Sequence, residues 1–474
     1  MLFISKEFLE VFLPCVILAF YLCQAFRSWL GVLVLLSASL IFCANNGVWQ
    51  VALLAASILF NFSTGLALTK IQKERAAVRK AALLGGVGVN LLALGYFKYA
   101  GFLVSILNSA FAAGLTEPHI TLPVGVSFYT FTQIAFLADV HAGRGPREPS
   151  LWTYALFVTY FPHVVAGPII HWREMMPQFE AIALNARSIY FNSEHRANIC
   201  RGATLLGIGL AKKLLIADQL APFVERGYAA AANIGCADAW LLSLSYTFQL
   251  YFDFSGYTDM AIGMSLIFGV QLPFNFNAPY RAVSIQDFWR RWHMTLSRWL
   301  RDYVFIPMGG SRGGAYMTLR NLLLTFLIGG LWHGASWTFV VWGGLHGIAS
   351  CIHRLWSGAG FRLPAPFAVA STFLFVNAAW VFFRAPDLSA AFDVLSAMAS
   401  PSRGPTAYLH SPQVYTLVAL AALLTWTMPV SQWIALETKF ATRPVAAMLT
   451  GASLTIAILA LNTSTPSPFL YFNF

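Results

Sequence analysis

From Asn321 to Gly347 the chain reads NLLLTFLIGGLWHGASWTFVVWGGLHG, and its only ionisable side chains there are His333 and His346. About 20 apolar residues suffice to cross a bilayer, and in hydrocarbon every backbone N–H and C=O must be satisfied within the segment, so a continuous apolar run of this length folds as a helix. Runs of similar character recur along all 474 residues, of which 58% are hydrophobic and only 10% charged. A soluble domain carries roughly a quarter charged residues. The chain is therefore expected to be an all-α polytopic membrane protein.

Counting apolar runs between charged punctuation gives about eleven or twelve crossings at ~20 residues each. No soluble-sized polar stretch interrupts them, so residues 1–474 read as one membrane domain. Within it, 1–120 form N-terminal helices, 121–360 a core holding the residues of chemical interest, and 361–474 C-terminal helices. The early spans fall near 8–26, 29–45, 48–69, 81–97, 99–113 and 121–138. The N-terminal run lacks a small-residue cleavage site and reads as a retained first helix.

The balance of 30 Lys+Arg against 19 Asp+Glu, a net charge of +11, would point to nucleic acid in a soluble protein. In a membrane protein it marks cytoplasmic loops instead, and no nucleic-acid partner is expected. The basic loop KIQKERAAVRK, Lys70 to Lys80, follows the third span; placing it in the cytoplasm puts the N-terminus outside. The six cysteines are scattered, without CxxC spacing or paired histidines, and read as packing residues with neither disulfide nor metal.

Two segments depart from the simple span. Leu151 to Phe179 is apolar but broken by Pro162, Pro168 and Pro177. Irregular backbone at membrane depth survives only when buried in protein or lining a wet cavity, so a re-entrant element is expected. Asn275 to Arg312 mixes six arginines with Phe288, Trp289, Trp292 and Trp299. That composition reads as a set of interfacial helices, tryptophans in the headgroup zone and arginines facing water, phosphate or an anionic ligand. Further spans are expected near 201–220, 238–270, 364–383, 414–430 and 445–461, with no fixed-period repeat or matching halves. The missing symmetry argues against an inverted-repeat transporter.

An ionisable residue inside a span is a functional candidate by default. His333 sits between Gly330 and Gly334, flanked by Trp332 and Trp337. Imidazole is suited to take a proton near pH 7 because its ordinary pKa is about 6.5. The glycines would let a substrate or another backbone approach closely; the plainer reading is a histidine hydrogen-bonded inside a helix bundle. His293, in FWRRWHMTLSRWL, is on its own an ordinary interfacial histidine. His346 follows His333 by thirteen positions, which at about 100° per residue lands on a nearly opposite helical face.

The run QLYFDFSGYTDMAIG places Asp253, Ser255, Tyr257 and Asp259 in apolar surroundings. Carboxylates at such depth pair with cations or line a polar path, and pairing with the Arg-rich segment is as consistent as a role in chemistry. Ser336 lacks the G-x-S-x-G setting of a nucleophile, no phosphate-loop signature occurs, and no H-x-x-x-H spacing supports a metal site.

Several of these stretches together resemble the membrane-bound O-acyltransferases, and within them the bacterial branch that includes alginate O-acetylase. The resemblance rests on LGYFKYAGF at Leu94, LPVGVSFYTF at Leu122, FPHVVAGPI at Phe161, QLYFDFSGYTDMAIG, FWRRWHMTLSRWLRDY at Phe288, GGLWHGASW at Gly329 and the YFNF tail. It implies transmembrane, re-entrant and interfacial helices around a central tunnel, with the family's reactive histidine falling on His333 and a second important one on His293. It further implies a co-substrate such as acetyl-CoA with no bound cofactor, donor or substrate contacts from Trp332, Arg290, Arg291, Asp253, Ser255 and Tyr257, and a place in the bacterial inner membrane. Arg298 belongs with the arginines that could attract donor phosphates, although lipid headgroups would attract them equally. The partners implied are the lipid bilayer, the acyl donor and a periplasmic acetyltransferase that modifies a polysaccharide. Alginate-like exopolysaccharide is favoured; peptidoglycan or cellulose acetylation, D-alanyl transfer and proton-coupled transport are the alternatives.

Overall fold

Four helices occupy the N-terminal part of the chain: α1 (Glu7–Phe26), α2 (Ser28–Ala44), α3 (Val48–Lys70) and α4 (Ala76–Phe111). The structure, a computed structural model, describes residues 3–45, 47–72, 74–146, 150–184, 192–401, 412–437, 440–463 and 467–470. Helix is the only extended regular structure among the described residues. The spans expected at 81–97 and 99–113 form the single helix α4. No boundary falls between them, because GYFKY at Gly95–Tyr99 contains no proline and continues the helix as a stretch of wider turns.

Next come α5 (Val126–His141), α6 (Leu151–Thr159) and α7 (Trp172–Leu184). α5 is buried along nearly its whole length, so the run near 121–138 is a helix enclosed by protein. Between α6 and α7, residues 160–171 are irregular and entirely buried. This is the protein-enclosed irregular backbone that the prolines predict, although Pro177 lies inside α7 instead of ending it. After these follow α8 (Ser193–Ala211), α9 (Asp218–Ala229), α10 (Cys236–Ile267), α11 (Ile285–Trp289), α12 (Met294–Leu300), α13 (Gly314–His333) and α14 (Trp337–Gly358). The last are α15 (Ala365–Arg384), α16 (Leu388–Met398), α17 (Pro412–Thr427) and α18 (Pro444–Thr463).

Among the described residues, six helices are long and apolar enough to cross a membrane: α1, α3, α4, α13, α15 and α18, the last over Pro444–Leu461. α2, α16 and α17 are apolar but shorter. This is fewer than the eleven or twelve read from apolar runs, because some runs merge, some break and some are enclosed by protein. Only 11% of the apolar window of α4 is buried. Bare apolar surface on that scale is unstable in water and at home in lipid. The protein is an all-helical, multi-pass membrane protein.

The chain forms two compact units interleaved along the sequence. One comprises Met1–Gly207, Met260–Pro273 and Lys439–Ala452. In it α2 packs against α1, α3, α6 and α7, and Asn61 of α3 and Asn90 of α4 exchange amide hydrogen bonds of 3.2 and 2.7 Å. Paired amides satisfy each other where lipid offers no partner.

The other unit comprises Ile208–Asp259, Phe274–Thr438 and Ser453–Phe474, and holds every candidate residue named above. Three of its helices start where a side chain takes one of the first free N–H groups: Ser284 accepts from Asp287, Ser336 from Thr338 and Asp387 from Ala390. α11 and α12 are short helices, but their aromatic residues do not lie at a headgroup surface. Phe288, Trp289, Trp292 and Trp299 are all buried within the unit, Trp292 stacking on Phe288 at 5.7 Å. Arginine with tryptophan is the composition of a membrane interface and equally of an aromatic core with a charged rim.

Candidate active site

α13 and α14 are joined by the break Gly334–Ser336, and their approach fixes the site. Gly330 and Gly343 face one another: a Cβ on Gly330 would fall 2.4 Å from the Phe339 carbonyl oxygen, and one on Gly343 would fall 2.4 Å from that of Phe326. Gly330 of GGLWHGASW therefore admits a neighbouring backbone, while Gly334 makes room for the Phe339 ring. His333 is the last residue of α13, 2% exposed, so the close helix pair delivers its ring into the interior. Around it stand Trp332 at 4.9 Å, Trp342 at 5.0 Å and 90°, and Phe383 of α15 at 5.1 Å, centre to centre.

His293 arrives from the other direction. It precedes α12 with φ 42° and ψ 52°, a left-handed conformation in a non-glycine residue. Such backbone costs of order 1–3 kcal/mol and persists only where the surroundings impose it. They do so here through Asn275. Its Oδ1 accepts from the Thr295 N–H at 3.3 Å and the Thr295 hydroxyl at 2.9 Å, while its carbonyl accepts from the Met294 N–H at 3.0 Å. The same Oδ1 lies 3.0 Å from His293 Nδ1. An oxygen that already accepts a backbone N–H can only accept, so Nδ1 carries the proton and Nε2 carries the lone pair. Burial pushes the His293 imidazole down to about 3, which keeps the ring neutral.

The two rings lie 6.5 Å apart, centre to centre, at 56°, with Trp332 6.2 Å from His293. Two imidazoles at this separation in an aromatic enclosure can share one reacting group between them, with hydrogen bonds of about 2.6–3.2 Å to each. The sequence candidates thus converge in His293, His333 and Trp332. His346 is a neighbour and not a member: its Nδ1 accepts from Trp289 Nε1 at 3.2 Å, and Trp342 lies between it and His333, 4.8 Å from His346.

The remaining candidates occupy a surrounding position. Asp253 is buried and paired with Lys213 at 2.7 Å, and Lys213 also pairs with Asp218 at 2.7 Å. Asp259 pairs with Lys212 at 2.7 Å and accepts from Ser431 and Gln432. Both carboxylates therefore have lysine partners, where pairing with the Arg-rich segment and a role in the chemistry had been equally open. Ser255 is buried, and Tyr257 meets Phe469 edge to face at 4.5 Å. From this run it is Phe254 that touches the site, edge-on to His293 at 4.8 Å. Arg290 is exposed, and Arg291 pairs with Asp287 at 3.0 Å.

Sequence reasoning passed over Asn275, Phe254, Trp342 and Phe383. Only Asn275 carried a signal: an amide in the apolar stretch QLPFNFNAPY must find partners if buried.

Residues 136–384 match the family model for membrane-bound O-acyltransferases. The chain is similar to a peptidoglycan O-acetyltransferase of Helicobacter pylori, 42% identical over 84% of this chain and 80% of the relative. It is similar also to a probable alginate O-acetylase of Azotobacter vinelandii, 41% identical over 90% of this chain and 84% of the relative. A probable alginate O-acetylase of Pseudomonas putida is 40% identical over the full length of both chains.

Proposed function

Because the chain belongs to the membrane-bound O-acyltransferase family, we propose that this acyltransferase moves an acetyl group from a cytoplasmic donor across the bacterial inner membrane. The destination in this reading is a hydroxyl of an extracytoplasmic polysaccharide, alginate-like exopolysaccharide first. Two relatives named as probable alginate O-acetylases support that substrate class. The relative named a peptidoglycan O-acetyltransferase supports the second reading, peptidoglycan. The observation that carries the chemistry is the convergence of His293 and His333, 6.5 Å apart in an aromatic enclosure.

In the proposed reaction the donor is a thioester, acetyl-CoA being the simplest. His333 removes the proton from the acceptor hydroxyl as its oxygen attacks the thioester carbonyl. The C–S bond then breaks, and the departing thiolate takes the proton back from the imidazolium. His293, neutral and fixed by Asn275, presents its Nε2 lone pair beside His333, where it accepts from a second donor on the acceptor molecule and orients that molecule. Trp332 forms the wall both rings share, excluding water and holding donor and acceptor in line. Arg290 and Arg291 attract the donor's phosphates. Asp253, Ser255 and Tyr257 back the wall that α10 presents through Phe254. A periplasmic acetyltransferase receives the group and places it on the polymer.

The test is His333→Ala in cells that express the protein, with protein level followed by immunoblot and polymer acetyl content by NMR. Loss of acetyl ester from the exopolysaccharide at unchanged protein level is expected. Loss from peptidoglycan alone would select the second reading. Unchanged acetylation of both polymers would sink the catalytic role, and proton-driven uptake by liposomes without acyl-donor turnover would replace it with transport.

A further inference from the structure

The C-terminal part of α14 carries Ser350, His353, Arg354 and Ser357, spaced by 3, 4 and 7 positions and so on one helical face. The opposite face exposes Ile352, Leu355 and Trp356. An amphipathic helix end ordinarily turns its polar side to water, but here that side lines a cavity of about 550 Å3. Gln286 and Ser311 add polar groups, and Trp289, Phe305 and Phe326 are the aromatic part of the lining, Trp289 and Phe326 5.2 Å apart.

The charge of this cavity has one sign. Arg354 forms no ion pair with a carboxylate among the described residues, and no carboxylate lines the cavity. The Arg290 guanidinium acts on His353 from nearby, adding a second fixed cation. A guanidinium without a carboxylate partner, with the His353 imidazole and Ser357 hydroxyl 3.5 Å apart beside a flat indole, matches a phosphate with an organic group attached, because the fork of arginine fits phosphate oxygens and the indole face takes an apolar or planar moiety. The volume is that of a small-molecule site. The cavity also adjoins the candidate active site through one aromatic relay: Trp289 donates to His346, which packs on Trp342, which packs on His333.

We propose that this cavity is a binding site for a phosphate ester, held by Arg354 and His353 with its organic part against Trp289. Two sources offer that chemistry, the phosphopantetheine or nucleotide end of the acyl donor and the headgroup of an anionic phospholipid. Only the first of these rests on the acyl-transfer reading.

Full-length protein in neutral detergent is titrated by calorimetry with coenzyme A, with pantetheine, which lacks phosphate, and with short-chain phosphatidylglycerol and diacylglycerol. Saturable binding of coenzyme A, or of phosphatidylglycerol, with no binding of the phosphate-free counterpart is expected. The double variant Arg354→Gln/His353→Gln should weaken it at least tenfold. Both side chains are partly or fully exposed, so a melting temperature equal to wild type checks that the fold is kept. Coenzyme A as the ligand identifies the donor; phosphatidylglycerol alone identifies a lipid. Binding of neither phosphate ester, or wild-type affinity in the double variant, overturns the proposal. Failure of the acyl-transfer reading is separate: it would show as acetylation that survives His333→Ala while phosphate-ester binding is intact.

Discussion

His293 and His333 lie 40 positions apart in sequence, yet their rings sit 6.5 Å apart, one entering from a strained turn and the other from a helix end. The turn matters because His293 holds φ at 42°. Asparagine tolerates that backbone better than other non-glycine residues, whereas alanine does not. His293→Asn is therefore expected to melt within a few degrees of wild type and to lose acetyl transfer by about 10²-fold, the scale of a lost positioning contact. His293→Ala should lose both activity and stability. Retained turnover in folded His293→Asn would show that the ring takes no part in the reaction.

Asn275 sets both the orientation and the tautomer of His293 by accepting from Nδ1. Asn275→Leu removes the acceptor from His293 and from Thr295, and leaves buried donors unpaired at about 1–3 kcal/mol each. Asn275→Asp keeps the acceptor and adds a negative charge beside the ring. A carboxylate favours the protonated imidazole, so any rate limb that reports His293 should move to higher pH in this variant. A pH–rate profile identical to wild type would separate His293 from the titrating step.

The face between α13 and α14 has no room for a methyl group at Gly330 or Gly343, where the added Cβ would meet backbone. Overpacking of this kind costs about 1–3 kcal/mol and shifts the helices that cause it. Because His333 ends α13, Gly330→Ala and Gly343→Ala are expected to lower the melting temperature and the rate together. Gly344→Ala, whose Cβ would meet only the Leu327 side chain at 3.7 Å, should leave both unchanged. Equal behaviour of all three variants would remove the close helix approach as the device that places His333.

His333 stood out in the sequence as a candidate because an ionisable residue inside an apolar span is one by default, and the helical, membrane-bound class was legible from composition. His293 was not legible from its own neighbours, which fit a membrane surface as well as a core, and it became a candidate only through the wider motif set. Asn275 and Phe254 escaped because their contact with His293 depends on how the loop after α10 folds back, which no local pattern encodes. The lysine partners of Asp253 and Asp259 escaped for a different reason. Lys212 and Lys213 stand together in LAKKLLIAD, inside the run expected to span near 201–220, where nothing local names their partners. Their pairing with carboxylates some forty positions later follows from helix packing alone.

That pairing yields the last prediction. Lys213 is 1% exposed and lies 2.7 Å from a carboxylate oxygen of both Asp218 and Asp253. The adjoining stretch of chain closes over it: the Leu470 N–H donates to Asp253 at 3.0 Å, and the Phe469 ring lies 4.9 Å from the ammonium. Breaking a buried charge cluster by removing one partner costs about 3–5 kcal/mol, because it strands the opposite charges. Lys213→Ala should therefore destabilise by that amount, read from a denaturant or thermal melt in detergent. Replacing Asp253 by Asn in the same chain removes one stranded carboxylate and should recover part of the loss. Since Phe254 is the next residue and rests on His293, acetyl transfer should fall in Lys213→Ala and recover alongside stability in the double variant. A double variant no more stable than Lys213→Ala would show that Asp253 gains nothing from the lysine, and would return its carboxylate to the list of groups available for chemistry.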